Sequence, residues 1–434
     1  MHDVYIDEKG PQEHIRVNST DLQGKRKNDP SNRFKIGNDN MTDYVMAAID
    51  IPNQNSDVLK SRFEELETNY LLHSENSGEL KGAQVLKGKK FQYGIGSMPT
   101  RETRFYTSLI ELLMSQDVKL CLVTQSKTAS IITQRLHFWI LEAAKREKVS
   151  YITLAYTLAK YATNEASGLV LQELQNSDKT VYQILSIIKA DLRRFIREHK
   201  NVARMQLQNG AFSDVLKIIG KSQNIKTNDT AHSGEFEWGK VDYSLSLWLE
   251  ERQLLGEDDS YRLFLDEGIR KDVFSSEHYS DIREDCNSKE IYGIRIADFM
   301  ATIFGKMISK LALATLYNPE EPGNTVYLSE EWFFLNQEQL KLGHLLYQFS
   351  MDTGLQYSFN NDTFFDDAIA LQAYLTYVNE FSDSEHLKQE GDGFEEFKIY
   401  QQMAKQRFAL MATVPHYLGE DSEQAISAGL IKPF

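Results

Sequence analysis

The chain has few cysteines and no long apolar run, and each absence excludes a class of protein. Its 434 residues include only two cysteines, Cys121 and Cys286, which lie far apart and have no ligand-like partner nearby. This spacing predicts neither a disulfide framework nor a thiolate zinc site, and it favours a reducing compartment. No stretch approaches the roughly 18 consecutive apolar residues of a membrane span. The opening residues, MHDVYIDEKG, lack the basic region and apolar run of a secretory signal. We therefore expect a soluble, cytoplasmic protein with no membrane partner.

An overall positive charge, the usual signature of nucleic-acid binding, is also lacking. The formal net charge is −15, whereas phosphate binding normally requires a basic surface. The acidity is concentrated in residues 318–434, which contain 19 acidic and 6 basic residues and leave a net charge of only −2 for residues 1–317. The first 317 residues are therefore nearly neutral, and basic clusters within them can still bind a polyanion.

Apolar runs and helical periodicities alternate in the first part of the sequence. Four apolar runs predict buried strands, at residues 3–7, 43–51, 118–124 and 261–268. Amphipathic periodicity predicts helices at residues 56–72 and 101–117, and a further helix beginning near Tyr292. Alternating strands and helices favour an α/β fold.

Composition and pattern divide the chain into three parts. The α/β domain is assigned to residues 1–125 and 256–317, and residues 126–255 are predicted to be a helical insertion within it. The segment NPEEPGN, residues 318–324, is the clearest linker because it is rich in Pro, Gly and Asn. Residues 318–434 are predicted to form a mainly helical, acidic C-terminal region.

Acidic residues follow two of the predicted strands. The segments VYIDEKG, residues 4–10, and LFLDEG, residues 263–268, are both apolar runs that end in Asp-Glu. If these strands are neighbours in one sheet, Asp7 and Asp266 converge at its edge, where clustered acids require a positive partner. A divalent metal ion is the natural candidate.

Two further acids have surroundings that suit a site. Glu79 lies in the segment GELKG, and Asp298 interrupts the otherwise apolar helix face of IRIADFMA. A buried carboxylate without a partner costs roughly 1–3 kcal/mol, so Asp298 requires a reason. Simpler interpretations exist, because Asp-Glu is common in turns and an isolated Glu79 would be a solvated loop residue. The combination of the four acids favours a functional site.

The order of these motifs is similar to that of a known family. The sequence resembles bacterial ribonuclease H-like proteins of unknown function, which open with a Y-x-D-E-S-G strand, carry an E-x-K motif and close with an A-D helix. The matching segments lie within about residues 1–310 and are YIDEKG (5–10), ELKG (79–82), FLDEG (264–268) and IRIADFMA (294–301). Lys9 stands where the family has serine, and the strand LVTQSK (122–127) ends without an acid. The strand that supplies the third carboxylate is therefore left open.

The resemblance implies a ribonuclease H-like mixed sheet that carries a carboxylate site for Mg²⁺ or Mn²⁺. The implied metal ligands are Asp7, Glu79, Asp266 and Asp298, with Glu8 and Glu267 as secondary candidates. Lys81 would contact the scissile phosphate or orient the carboxylates. Hard divalent ions prefer oxygen ligands, and two such ions stabilise both the attacking and the leaving oxygen in phosphodiester hydrolysis. Members of the family often lie in mobile or defence-related gene neighbourhoods.

Two basic clusters could bind the phosphate backbone of DNA or RNA. Residues 79–104 contain six basic side chains against two acids; the basic ones are Lys81, Lys87, Lys89, Lys90, Arg101 and Arg104. A second cluster forms one stripe at helical spacing, consisting of Lys189, Arg193, Arg197, Lys200 and Arg204. The simpler interpretation is a solvated helix face, and pairing with the acidic C-terminal region is a further alternative.

The sequence supports two functions from different classes. The first is a metal-dependent nuclease that uses the four acids. The second is a catalytically weak ribonuclease H-like scaffold whose helical additions bind a partner protein or a second copy of the chain. Convergence of the four acids would favour the enzyme, whereas a Glu79 or Asp298 that points away would favour the scaffold.

Overall fold

The fold is built on eight β-strands and fourteen α-helices within the part of the chain that can be described. The computed structural model describes residues 1–9, 41, 43–72, 79–202, 205–227, 236–257, 260–275, 277–314, 316–317, 326–361 and 367–413. The strands are β1 (His2–Lys9), β2 (Asp43–Pro52), β3 (Lys119–Ser126), β4 (Tyr261–Asp266), β5 (Tyr279–Cys286), β6 (Leu316–Tyr317), β7 (Val326–Tyr327) and β8 (Phe359–Asn361). The linker NPEEPGN lies outside the described residues.

The helices surround one large sheet. In chain order they are α1 (Ser56–Leu71), α2 (Gly82–Val85), α3 (Thr100–Ser115), α4 (Lys127–Glu147), α5 (Tyr151–Asn164), α6 (Gly168–Leu174), α7 (Val181–Glu198), α8 (Gln206–Ser222), α9 (Trp238–Leu254), α10 (Tyr292–Ala314), α11 (Gln337–Ser350), α12 (Asp367–Asn379), α13 (Ser384–Glu390) and α14 (Gly393–Thr413). Of these helices, none is long and apolar enough to cross a membrane.

Six strands form a mixed sheet in the order β5-β4-β1-β2-β3-β8. Strand β2 is antiparallel to both of its neighbours, β1 and β3, whereas β4 is parallel to β1, β5 is parallel to β4, and β8 is parallel to β3. The prediction of an α/β fold with a mixed sheet flanked by helices is confirmed. Strands β6 and β7 form a separate two-stranded ladder.

Alternating side chains of β1 face two different cores, as the period of a strand requires. Val4 and Ile6 belong to a cluster with α9, which covers one face of the sheet. Tyr5 belongs to the larger cluster on the other face, where α10 packs against β1 and β2. The side chain of Asp7 therefore lies on the α10 face, two residues beyond Tyr5.

The helical block after β3 has a core of its own. Buried side chains between Ala129 and Ile219 form a separate cluster contributed by α4 to α8. Helix α9 does not belong to this cluster, because its residues Val241, Leu245 and Trp248 pack on the sheet. The structure thus gives the insertion a separate core in α4–α8, while the predicted end of the insertion at residue 255 stays a prediction.

The acidic C-terminal region shares a core with the sheet. Trp332, Phe333 and Leu335 are buried in the cluster that also contains Tyr5 of β1 and side chains of α10. Strand β8 extends the sheet beside β3. The predicted three-part division of the chain remains a prediction, but these contacts make the stability of the sheet depend on the C-terminal region.

Glu396 of α14 gives the folded chain a predicted pH dependence. Burial raises the pKa of its carboxyl from 4.5 to about 8. As the pH rises from about 4.5, the unfolded state loses this proton first, so the free energy of unfolding should fall until about pH 8. We expect Glu396→Gln to flatten that fall and to stabilise the protein above pH 8 by up to about 5 kcal/mol, as measured by urea denaturation across pH.

The neighbouring Glu395 provides a matched control for this measurement. Its side chain is exposed and forms an ion pair with Lys398, so Glu395→Gln should leave the pH dependence of stability unchanged. The same slope in both variants and the parent would show that Glu396 does not carry the effect.

Candidate active site

The β1 strand and the α10 helix place two buried acids opposite each other. Asp7 is 4% exposed and Asp298 is 5% exposed, so both carboxylates lie almost entirely inside the protein. Their approach depends on Gly293 of α10, since a Cβ atom there would lie 2.3 Å from Cγ of Tyr5. The missing side chain lets α10 lie close to the face of β1 that carries Asp7.

The Lys9 ammonium lies between these two carboxylates. Its Nζ is 2.5 Å from Oδ1 of Asp298 and 3.7 Å from Oδ2 of Asp7. Lys9 follows Asp7 by two residues in the same strand, so both side chains leave the same face of the sheet. The buried acids are therefore partly neutralised by a cation from the chain itself.

Backbone N–H groups hold the other oxygens of the two carboxylates. The N–H of Gly82 donates to Oδ2 of Asp298 at 2.7 Å, and the N–H of Glu8 donates to Oδ1 of Asp7 at 2.7 Å. Gly82 can approach because it has no side chain, since a Cβ atom would lie 2.6 Å from Oγ1 of Thr302. The ELKG motif is thus tied to the acid of α10 through a main-chain hydrogen bond.

Asp266 lies at the same end of the sheet, on the neighbouring strand. The parallel register of β1 and β4 pairs Ile6 with Leu265, so the residues that follow, Asp7 and Asp266, are adjacent. Partial burial and the charge of Asp298 raise the pKa of Asp266, although Lys9, Lys81 and a backbone N–H oppose the shift. The predicted convergence of the two strand-end acids therefore agrees with the register of the sheet.

The charges of this cluster perturb one another. Burial raises the pKa of Asp7 well above its usual value, against the attraction of Lys9 and with reinforcement from Asp298. Burial alone would lower the pKa of Lys9, but Asp7 and Asp298 outweigh burial and raise it. Lys9 is accordingly a cation at neutral pH. The raised pKa of Asp7 shows that a second negative charge beside Asp298 is costly in this buried cluster.

Glu79 lies towards the edge of this cluster. Its Oε2 is 3.8 Å from Nζ of Lys81. Glu67, which pairs with Arg295, has a raised pKa, mainly because it is buried and to a smaller extent because of the charge of Glu79. Lys81 is half exposed and acts electrostatically on Asp266. The motif therefore reaches the site through Lys81 and Gly82, while Glu79 interacts with Lys81 and the Glu67–Arg295 pair.

The donor chemistry of the cluster fits a hard divalent ion. Its acids offer carboxylate oxygens, and Mg²⁺ is commonly held by one or two carboxylates together with water and substrate phosphates. The described residues contain no group of three or more His, Cys, Asp or Glu positioned to hold a metal ion. Asp7 and Asp298 would thus form the core of a metal site, with Asp266 beside them, rather than a complete protein cage.

The basic residues predicted near Glu79 have different surroundings. Lys87 is exposed, whereas Arg101 stacks on the ring of Tyr70 at 4.4 Å and Arg104 forms an ion pair with Glu338. The side chain of Lys89 lies outside the described residues. Lys87 is thus exposed, whereas the charges of Arg101 and Arg104 already have partners within the chain.

The predicted basic stripe lies on and just after α7. Arg193, Arg197 and Lys200 are exposed, and no ion pair with another described residue is found for them. Lys189 is partly buried and donates to Gln223 at 3.4 Å, while Arg204 lies outside the described residues. Three of the five predicted side chains therefore present unneutralised charge to solvent.

Comparisons with protein-family models, with curated proteins and with solved structures find no match for this chain. Its function is therefore inferred from the geometry of the site and from the resemblance of its motifs.

Proposed function

We propose that this protein is a ribonuclease H-like, metal-dependent nuclease that hydrolyses phosphodiester bonds. The observation that supports this most strongly is the convergence of Asp7 and Asp298, two buried carboxylates from different elements, on a single cation. Asp266 adds a third carboxylate at the same end of a mixed sheet. Such a concentration of buried negative charge is stable only with a positive partner, and it suits Mg²⁺ or Mn²⁺.

A bound divalent ion would supply charge stabilisation for an in-line displacement at phosphorus. The chain itself holds Asp7 and Asp298 at fixed positions by backbone N–H groups. Lys81, half exposed and acting electrostatically on Asp266, would contact a phosphate oxygen of the substrate. The catalytic set is accordingly Asp7, Asp298, Asp266 and Lys81, with Glu79 as the residue that orients Lys81.

A cleavage assay tests this proposal. Metal-stripped protein would be incubated with labelled single-stranded DNA, duplex DNA, RNA and an RNA–DNA hybrid, each with Mg²⁺, Mn²⁺ or a chelator. We expect cleavage of at least one substrate with Mn²⁺ or Mg²⁺, and none with the chelator. Absence of cleavage under all conditions would contradict the proposal.

A second candidate function is favoured by the same Lys9 ion pair. Because Lys9 already balances one of the two negative charges, the acids have a positive partner without a metal ion, as a scaffold that binds a partner protein would require. In that case wild-type protein would cleave no substrate at any Mn²⁺ concentration, and pull-down or light scattering would reveal a partner or a homo-oligomer.

The exposed residues of the basic stripe give a prediction for nucleic-acid binding. We expect the triple reversal Arg193→Glu, Arg197→Glu and Lys200→Glu to weaken binding and to flatten its salt dependence. Each phosphate contact contributes a slope of about −0.9 on duplex DNA, so three lost contacts change the slope by about 2 to 3. Fluorescence anisotropy at several salt concentrations measures both quantities.

The same helical block offers a matched control. Lys145, Lys217 and Lys221 are exposed and each is paired with an acid, so their reversal changes the net charge equally at residues outside the stripe. A salt slope that falls equally in both triple variants would show that net charge, and not the stripe, sets the binding.

A further inference from the structure

Lys9 and the backbone contact different oxygens of the two acids. Oδ1 of Asp7 and Oδ2 of Asp298 each accept a backbone N–H at 2.7 Å. The remaining oxygens, Oδ2 of Asp7 and Oδ1 of Asp298, are the two that approach Nζ of Lys9. Oδ1 of Asp298 also accepts a long hydrogen bond from Oγ1 of Thr302 at 3.5 Å. Each carboxylate thus has one oxygen held by the backbone and one that faces the Lys9 ammonium.

A divalent ion bound by these acids requires the same two oxygens. An ammonium nitrogen 2.5 Å from Oδ1 of Asp298 would lie next to any ion bound to that oxygen, and two cations so close would repel each other strongly. The Lys9 side chain is one-quarter exposed, so it has a route away from the acids towards solvent. Metal binding and the Lys9 ion pair are therefore mutually exclusive.

We propose that Lys9 is a built-in competitor of the divalent ion and sets the metal concentration at which the site becomes occupied. In the absence of metal, Lys9 stabilises the fold by balancing part of the negative charge of Asp7 and Asp298. In the presence of Mg²⁺ or Mn²⁺, its ammonium must leave before the ion binds, which weakens the apparent affinity. This inference rests on the proposed function, because it assumes that these acids bind a divalent ion.

Lys9→Met tests the competition, because methionine keeps most of the side-chain volume and removes the charge. Binding of Mn²⁺ to metal-stripped protein is measured by electron paramagnetic resonance of the free ion, and stability by thermal denaturation with and without Mn²⁺. We expect Lys9→Met to bind Mn²⁺ at least about tenfold more tightly than wild type, a change that corresponds to about 1.4 kcal/mol. Without Mn²⁺ the variant should be less stable than wild type, and Mn²⁺ should stabilise it more.

Lys119→Met is the control for loss of a strand lysine. Lys119 lies in β3 and pairs with the exposed Asp117, so its replacement should change neither Mn²⁺ affinity nor the effect of Mn²⁺ on stability. If Lys9→Met does not fold, Lys9→Gln decides the question, since it keeps a hydrogen-bond donor without the charge. A variant at Lys9 that folds and binds Mn²⁺ no more tightly than wild type overturns the inference.

The binding measurement separates this inference from the proposed function. Tighter Mn²⁺ binding by the Lys9 variant without cleavage by any form of the protein would support the competition and refute the nuclease. Metal-dependent cleavage with identical Mn²⁺ affinity in wild type and variant would support the nuclease and refute the competition.

Discussion

Replacement of Asp7 by asparagine is expected to abolish metal-dependent cleavage and, at the same time, to stabilise the metal-free protein. Loss of one ligand removes several kcal/mol of transition-state charge stabilisation. This predicts a fall in the cleavage rate of at least about a thousandfold. Asparagine preserves the volume of the side chain, so the fold should be retained.

The stabilisation follows from the sign of the pKa shift. Burial, reinforced by Asp298, raises the pKa of Asp7 in the folded state above its usual 3.8. As the pH rises above about 4, the unfolded state therefore loses the proton first, and stability falls until the pH exceeds the raised pKa. Asp7→Asn removes this penalty, so at neutral pH its free energy of unfolding should exceed that of wild type.

Asp117→Asn is a matched control for both measurements, the cleavage rate and the free energy of unfolding. Asp117 is exposed and pairs with Lys119 at the opposite end of the sheet, so the same substitution there should change neither cleavage nor stability. Undiminished cleavage by Asp7→Asn would exclude Asp7 as a metal ligand. A large loss of stability would instead show that the Asp7 carboxylate is a net stabilising partner of Lys9.

Replacement of Trp332 by alanine is expected to cause the largest loss of stability. Its indole is fully buried, lies against Gly94, where a Cβ atom would be 2.8 Å from Cζ3, and packs edge-on against Tyr374. Truncation of such a side chain typically costs 3–5 kcal/mol, because the cavity only partly collapses. Urea denaturation of Trp332→Ala should therefore show a decrease of about 3–5 kcal/mol.

Phe334, two residues away, provides the control for this variant. Its side chain is 48% exposed, so Phe334→Ala should change the free energy of unfolding by less than about 0.5 kcal/mol.

Removal of residues 318–434 should yield insoluble protein, because it exposes the core that Trp332 completes. A soluble, folded truncation would show that the α/β domain is stable without the C-terminal region, and the acidic region could then be examined as a gate for polyanions.

The sequence predicted most of the sheet but not its edges. Strands β1 to β4 and helices α1, α3 and α10 lie within a few residues of the predicted positions, because their apolar runs or amphipathic periods are long. Strand β5 was not predicted, since half of its segment YSDIREDC is charged and half of its residues are exposed, which leaves no apolar run. Strand β8 has only three residues, and it forms through pairing with β3, which a local pattern does not encode.

The residues of the site could be predicted in part. The acids at the ends of β1 and β4 were expected to be neighbours, and the register agrees. Lys9 was noted only as a departure from serine, although the alternation of side chains along β1 places it on the face of Asp7. Its contact with Asp298 depends on the close approach of α10, which Gly293 allows and which one helix pattern alone does not reveal.

The contribution of Gly82 also depended on tertiary structure. The segment ELKG suggested Glu79 and Lys81 as the functional residues, yet the group that reaches Asp298 is the main-chain N–H of Gly82. A main-chain N–H donor cannot be recognised from the residue types in a sequence, because almost every residue has one. The glycine itself is the signal, because close approach to Thr302 excludes any side chain at this position.

The most direct measurement is the rate of phosphodiester cleavage by metal-stripped protein as Mn²⁺ is added, with wild type and Asp7→Asn assayed in parallel. The proposed site predicts a rate that rises from zero and saturates with Mn²⁺ for wild type, and no cleavage by Asp7→Asn at any concentration. Wild-type cleavage that is independent of Mn²⁺, equal rates for the two proteins, or no cleavage by either would contradict the assignment of Asp7 and Asp298 as a catalytic metal site.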